Sequence, residues 1–251
     1  MCLIAWNWQP ASATPLLLLA NRDEFYARPA APLHWWEGDQ ILAGQDLQAG
    51  GTWLGVGRNG RLAALTNYRT PEGARAGTPS RGELVAGFLQ SSLSAADYLA
   101  QLQARAADYN PFNLLVYDGQ QLLGLESRGA RVVTLPAGLG AVSNADFHTP
   151  WPKLVALQDG LQTRIITGHT DTPNLQALLH NRKLAPDATL PSTGVLLELE
   201  RALSAAFIAT PNYGTRASSV VRLGLHEVEF TEQQFDAQGL TGASTLSFKR
   251  M

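Results

Sequence analysis

A thiol and an amino group on the same residue give a nucleophile with its base attached, and the second position of this chain can supply both. Met1-Cys2 holds the only cysteine of the 251 residues. The small side chain at position 2 favours removal of Met1, which leaves Cys2 with a free α-amine. After a short loop, Leu16-Leu17-Leu18-Leu19-Ala20 runs into Asn21-Arg22-Asp23-Glu24. If this run and the apolar run Cys2-Leu3-Ile4-Ala5-Trp6-Asn7-Trp8 are strands of one antiparallel pair turning near Ser12, partner numbers sum to about 24 and Cys2 lies opposite Arg22. Directly opposed residues share a face about 5 Å apart. A guanidinium at that place lowers a thiol's pKa and favours the attacking thiolate.

By strand alternation Asn21 and Asp23 point to the other face, unless the strand ends or bulges there. Residues 25–40, with Arg28-Pro29, Pro32 and the pair Trp35-Trp36, form a loop. Strands are expected at 41–46, 49–56 and 61–68, the last two joined through Asn59-Gly60, a strong hairpin signal. Gly55-Val56-Gly57-Arg58-Asn59-Gly60 matches a dinucleotide-binding glycine pattern, but the pattern needs a helix after it and a strand follows here. A Gly/Pro-rich loop at 70–79 is long enough to act as a flap. Ser80-Arg81-Gly82-Glu83 has the form of a capping box opening a helix through Gln90. A second helix runs from Ser94 to about Ala107.

Strands at 112–117 and 120–126 turn at Asp118-Gly119, and 131–135 and 138–144 follow. Thr149 with Pro150 is expected to start a helix that turns Leu154, Leu157 and Leu161 inward. Short helices are expected at 173–181 and 195–206, then strands at 215–223, 227–231 and 246–248. Several strands are apolar on both faces, and the tight hairpins are antiparallel. Together these predict an α+β fold, a four-layer α/β/β/α sandwich of two mainly antiparallel sheets.

The length fits one large domain or two small ones. A formal net charge of −2 with scattered basic residues gives no electrostatic footprint for nucleic acid. Leu16 to Ala20 is too short to span a bilayer and no secretory signal pattern precedes it, so no transmembrane segment and a cytosolic location are expected. A lone cysteine makes no internal disulfide. The five histidines lack paired spacing, so no metal site is expected.

Met1-Cys2, Asn21-Arg22-Asp23-Glu24, Gly50-Gly51-Thr52-Trp53-Leu54-Gly55, Leu65-Thr66-Asn67-Tyr68-Arg69, Asn110-Pro111-Phe112-Asn113-Leu114, Ser143-Asn144, Trp151-Pro152-Lys153 and Tyr213-Gly214-Thr215-Arg216 occur in order along the chain. In this the chain resembles the NRDE family, also called the transport and Golgi organisation 2 family. The likeness covers almost all of the sequence and implies a single domain over residues 1–251. That family is similar to the N-terminal-nucleophile (Ntn) hydrolases, especially cysteine members that cut linear amides, such as penicillin V acylase and bile salt hydrolase.

The resemblance implies roles. Cys2 is the nucleophile, Arg22 holds its thiolate and Asp23 orients the amine. Asn67 and Asn144 resemble the acylases' oxyanion donors, and Arg216 resembles a second cation near the sulfur. One departure is that the acylases space Arg and Asp three apart, whereas here they are adjacent. The expected ligand is a small-molecule amide, with no cofactor. An alternative is a carrier for haem or an acyl lipid, since eukaryotic members are associated with haem and lipid handling. In that reading Trp6, Trp8, Trp35, Trp36 and Trp53 line the pocket, and Cys2, His34 or His148 offers an axial ligand.

Overall fold

The computed structural model describes residues 2–250. Removal of Met1 therefore lies outside the described residues. The chain opens with β1 (Cys2–Trp8) and β2 (Leu16–Phe25), whose register pairs Cys2 with Arg22 and Trp8 with Leu16, the predicted sum of 24. The turn between them is closed by Gln9 N–H donating to the Pro15 carbonyl at 2.7 Å.

β1 and β2 sit inside a six-stranded sheet with β10 (Gly138–Val142), β11 (Tyr213–Leu223), β12 (Glu227–Asp236) and β13 (Gly239–Lys249), in the order β10-β1-β2-β11-β12-β13. The second sheet is a seven-stranded meander: β3 (Ala30–Trp35), β4 (Ile41–Asp46), β5 (Leu54–Gly57), β6 (Leu62–Asn67), β7 (Phe112–Tyr117), β8 (Leu122–Glu126) and β9 (Arg131–Thr134). The strand pairs in both sheets are antiparallel.

Alternation along β1 and β2 explains why neither face is polar. Cys2, Ile4, Trp6, Leu16, Leu18 and Ala20 face the other sheet, while Leu3, Ala5, Leu17 and Leu19 face helices. Those helices are α3 (Pro152–Ile166) and α4 (Thr172–Leu179), which bury Leu154, Leu157, Leu161, Leu175 and Leu179 on the outside of the six-stranded sheet. On the outside of the other sheet, α1 (Gly82–Gln90) and α2 (Ala95–Gln103) bury Leu84, Val85, Phe88, Leu99 and Leu102. The result is the expected four-layer sandwich. Each fully buried Leu in it contributes about 1.5–3 kcal/mol by leaving water. A short fifth helix, α5 (Leu197–Ala202), precedes β11. No helix among the described residues is long and apolar enough to cross a membrane.

The glycine-patterned segment is a β5–β6 hairpin, with Gly60 alone of the Asn59-Gly60 pair taking a left-handed φ of 78°. Several boundaries differ from expectation: β5 covers only the end of the strand expected over 49–56, β12 runs five residues past the expected 231, and α5 is shorter than the helix expected over 195–206. Residues 25–40 contain β3, an edge strand whose register slips between Ala31 and His34, where Pro32 can sit without a ladder hydrogen bond. The third helix starts at Pro152 with Trp151 as its cap residue, and Thr149 instead donates its hydroxyl to the Asp146 carbonyl at 2.8 Å. In α1 the Ser80 hydroxyl accepts from Gly82 N–H, while Glu83 turns away to accept from Tyr109. The last strand spans eleven residues, not three, because its outward positions are small and polar.

Candidate functional site

The thiol end of β1 opens onto a cleft of about 820 Å³ between the sheets, bordered by the ends of β2, β4, β6 and β12, the start of β11 and the N-terminal turn of α1. Cys2, Arg22, Asn67 and Arg216 line it. Cys2 is 5% exposed. Burial, and after it the charges of Asp23 and Glu24, push its thiol pKa up, while Arg22 pulls it down. Arg22 acts in the direction expected from the sequence, but desolvation and the neighbouring carboxylates outweigh it.

The Arg22 guanidinium is not dedicated to sulfur. It lies 3.5 Å from the Asp46 carboxylate and 3.8 Å from that of Glu24, and Arg28 sits 2.6 Å from Asp46. Arg81, which the sequence reading treated only as part of a helix start, also lines the cleft. Its guanidinium donates to the Pro111 carbonyl at 2.9 Å and forms no ion pair with an acid among the described residues. Burial lowers its pKa, and Cys2 is the leading group that opposes this. The sequence did hold a signal. A cation at a helix N-terminus faces the positive end of the macrodipole, a local conflict that needs a reason elsewhere.

Asp23 is 1% exposed, and strand alternation directs its carboxylate toward Lys153 on α3. Thr215 Oγ1 donates to its Oδ1 at 2.8 Å, and Tyr213 donates to its backbone carbonyl at 3.0 Å. Burial raises the Asp23 pKa, opposed first by Lys153 on α3 and also by Arg69. Lys153 is itself buried, and desolvation pushes it down to about 8. Strand alternation turns the Asp23 side chain toward the helices, yet Asp23 also borders the cleft, and its charge opposes thiolate formation at Cys2.

The two asparagines divide. Asn67 ends β6 on the cleft, and its side-chain amide makes no hydrogen bond to another described residue. Asn144 is fully buried and does not line the cleft. Its Nδ2 donates to the Asn67 carbonyl at 2.8 Å, and its own carbonyl accepts from Arg69 N–H at 2.8 Å. The Ser143 hydroxyl lies 3.2 Å from both the Cys2 carbonyl and Asn144 Oδ1 and can donate to one at a time. Ser143-Asn144 thus ties the strand that carries Cys2 to Asn67.

Arg216 sits where the β2–β11 register shifts between Thr215 and Ala217. Its Nη1 is 3.0 Å from the carbonyls of Phe25, Tyr26 and Arg28, and its Nε donates to Phe235 at 3.0 Å. It adds positive potential to the cleft while its donors fasten the loop after β2. Gly51 and Gly82 meet backbone to backbone at the rim, where a Cβ on Gly51 falls 2.5 Å from the Gly82 carbonyl carbon. Glu232, also missed from sequence, is a buried carboxylate on the cleft that accepts from Leu33 N–H at 2.8 Å and Gln234 at 2.9 Å.

Of the tryptophans proposed as walls, only Trp53 lines the cleft. Trp6 is buried edge-on to Phe147, and Trp35 packs against Phe248 under Arg58. His34 and His148 are not among the lining residues, and His148 packs edge-on to Trp6. Most of the remaining wall is polar or charged.

Two solved structures share this architecture. A mutant of the conjugated bile acid hydrolase from Clostridium perfringens superimposes with a TM-score of 0.53 over 98% of this chain and 92% of its own, at 8% identity. The Caenorhabditis elegans N-acylethanolamine-hydrolyzing acid amidase ortholog also gives 0.53, over 89% and 94%, at 12% identity. The fold is therefore that of the Ntn hydrolases. The profile of the transport and Golgi organisation 2 family matches residues 1–237. A Bos taurus transport and Golgi organization protein 2 homolog is 36% identical, covering 93% of this chain and 92% of its own. The Homo sapiens homolog is 31% identical, covering 99% and 98%. The chain belongs to the transport and Golgi organisation 2 family.

Proposed function

We propose that this protein is an N-terminal cysteine amidohydrolase acting on linear, non-peptide C–N amide bonds. The observation that carries the reading is Cys2 at the rim of a polar cleft, opposite Arg22 and beside Arg81, in a fold shared with two amide-cutting enzymes. With Met1 removed, the α-amine takes the thiol proton as sulfur bonds to the carbonyl carbon. The C–N bond then breaks, and the resulting ammonium returns that proton to the leaving amine. Water, deprotonated by the same amine, cleaves the thioester and frees the acid.

The developing oxyanion needs a donor already aimed at it, and the free amide of Asn67 is suited to this, with Asn144 holding its backbone. Arg22 and Arg81 supply the positive potential that a buried thiolate requires. A polar wall favours a substrate with hydrogen-bonding groups on both sides of the scissile bond, and gives the haem-carrier alternative little to bind. The test is amine release from a panel of N-acyl amides by the wild type, C2A and R81M. Turnover that vanishes in C2A and falls at least tenfold in R81M supports the reading; turnover that persists in C2A overturns it.

A further inference from the structure

Behind the strand that carries Cys2, four charged side chains meet in a buried layer. Asp23 enters from β2, Lys153 from the first turn of α3, Arg69 from the segment after β6 and Glu200 from α5, and all four are buried. Arg69 pairs with Glu200 and lies over the Trp151 ring at 4.6 Å. Lys153 Nζ has no hydrogen-bond partner among the described residues, and Asp23 is its strongest opposite charge, with Arg69, Cys2 and Glu200 beyond it. A buried ammonium without hydrogen bonds is costly, so its position needs an explanation.

Register supplies one. Cys2 pairs with Arg22, so the backbone nitrogen of Cys2 points along β1 toward the level of Asp23 on β2. An α-amine beside a lone buried carboxylate is held as ammonium, which cannot accept the thiol proton. A second cation on the far side of that carboxylate cancels the effect.

We propose that Lys153 is a positioning residue for the nucleophile: its ammonium offsets the charge of Asp23, so that Asp23 orients the α-amine of Cys2 and leaves it neutral. The inference rests on the hydrolase reading above. The charged groups around that amine are Asp23, Lys153, Arg69 and Glu200 on the helix side, and Arg22, Glu24 and Arg81 toward the cleft. The net charge on the helix side is zero with Lys153 present and negative without it. Trp151-Pro152-Lys153 and Asn21-Arg22-Asp23-Glu24, far apart in sequence, then serve one proton acceptor.

The experiment titrates the amine directly. Proteins in a C2S background, where no thiol competes, are labelled with a trace of acetic anhydride across pH, and the N-terminal peptide is quantified by mass spectrometry. In C2S/K153M the amine should titrate about one unit or more higher than in C2S, a tenfold loss of labelling at neutral pH. C2S/K153R should restore it. An unchanged amine in folded C2S/K153M overturns the inference. If that variant does not fold, C2S/D23N and C2S/D23N/K153M decide: the first should titrate lower, because Lys153 is then an uncompensated cation, and equal values overturn the inference. Wild-type protein that still carries Met1 overturns the hydrolase reading and this inference together. An unmoved amine on a processed chain overturns this one alone.

Discussion

Cys2 is caught between burial and the carboxylates of Asp23 and Glu24 on one side and Arg22 on the other, and its reactivity should show the balance. Burial raises the thiol while Arg22 lowers it, and the balance is upward from an ordinary value of 9.0. Only the thiolate alkylates, so the rate with iodoacetamide should be slow at neutral pH and still be rising with pH above 9. R22M and R81M should each move that midpoint further up, read from the pH dependence of alkylation. A midpoint that falls in either variant would mean that its guanidinium does not act on the sulfur. Asn67 and Asn144 are separable by the same logic. N67A should slow amide turnover about 10²-fold with little change in melting temperature, because its amide contacts only the cleft. N144A should cost stability as well, by about 1–3 kcal/mol, since it removes a fully buried amide that holds the partly buried Asn67 carbonyl. Denaturant melts of the two variants distinguish these outcomes. At this scale the sequence revealed Cys2 and Arg22 well, because a short loop fixes their pairing. It did not reveal Arg81, whose role depends on where α1 begins, or Lys153, whose partner lies 130 positions earlier.

The elements differ in how firmly they hold the site. The loop over residues 70–79 contributes Arg75, Thr78 and Pro79 to the cleft wall and is latched by Asn110 and by the Arg75 guanidinium, which donates to the carbonyls of Ala107 at 3.0 Å and Tyr109 at 2.5 Å. Asn110 accepts from Arg75 N–H at 2.7 Å and donates to the Arg75 carbonyl at 3.0 Å and to Thr78 Oγ1 at 2.7 Å. N110A should speed limited proteolysis within 70–79 and raise KM more than it lowers kcat; equal cleavage rates in variant and wild type would show that the latch does not control this loop. Conversely, the Gly51–Gly82 crossing fixes the start of α1 against the segment before β5. G51A forces the backbone apart at a 2.5 Å contact, and should reduce both stability and Cys2 alkylation. Element reading from sequence succeeded where both faces were apolar or a tight turn intervened, as at Asn59-Gly60. It failed at β3 and most of β13, edge strands whose prolines or small polar residues mask the alternation.

Across the whole molecule, three apolar layers hold the two sheets and four of the helices in place: one between the sheets and one outside each. Trp6 passes so close to Gly140 that a Cβ there would lie 2.3 Å from its ring. Leu18 is fully buried in the same central layer. L18A should therefore cost about 2–5 kcal/mol without moving the site, measured by denaturant unfolding. The sandwich was legible because β1 and β2 carry no polar face. The place of the tryptophans was not, since strand parity gives a face but not the distance from the cleft, and four of the five candidates lie elsewhere.

The account stands on one residue that joins a free amino terminus to a thiol open to the cleft. Intact mass of the purified protein, before and after a thiol-directed acylating probe, measures both at once. The prediction is a chain lacking Met1 that gains a single acyl group on Cys2, loses it again as the thioester hydrolyses, and gains none as C2A. A chain that keeps Met1, or that takes up no acyl group at Cys2, contradicts it.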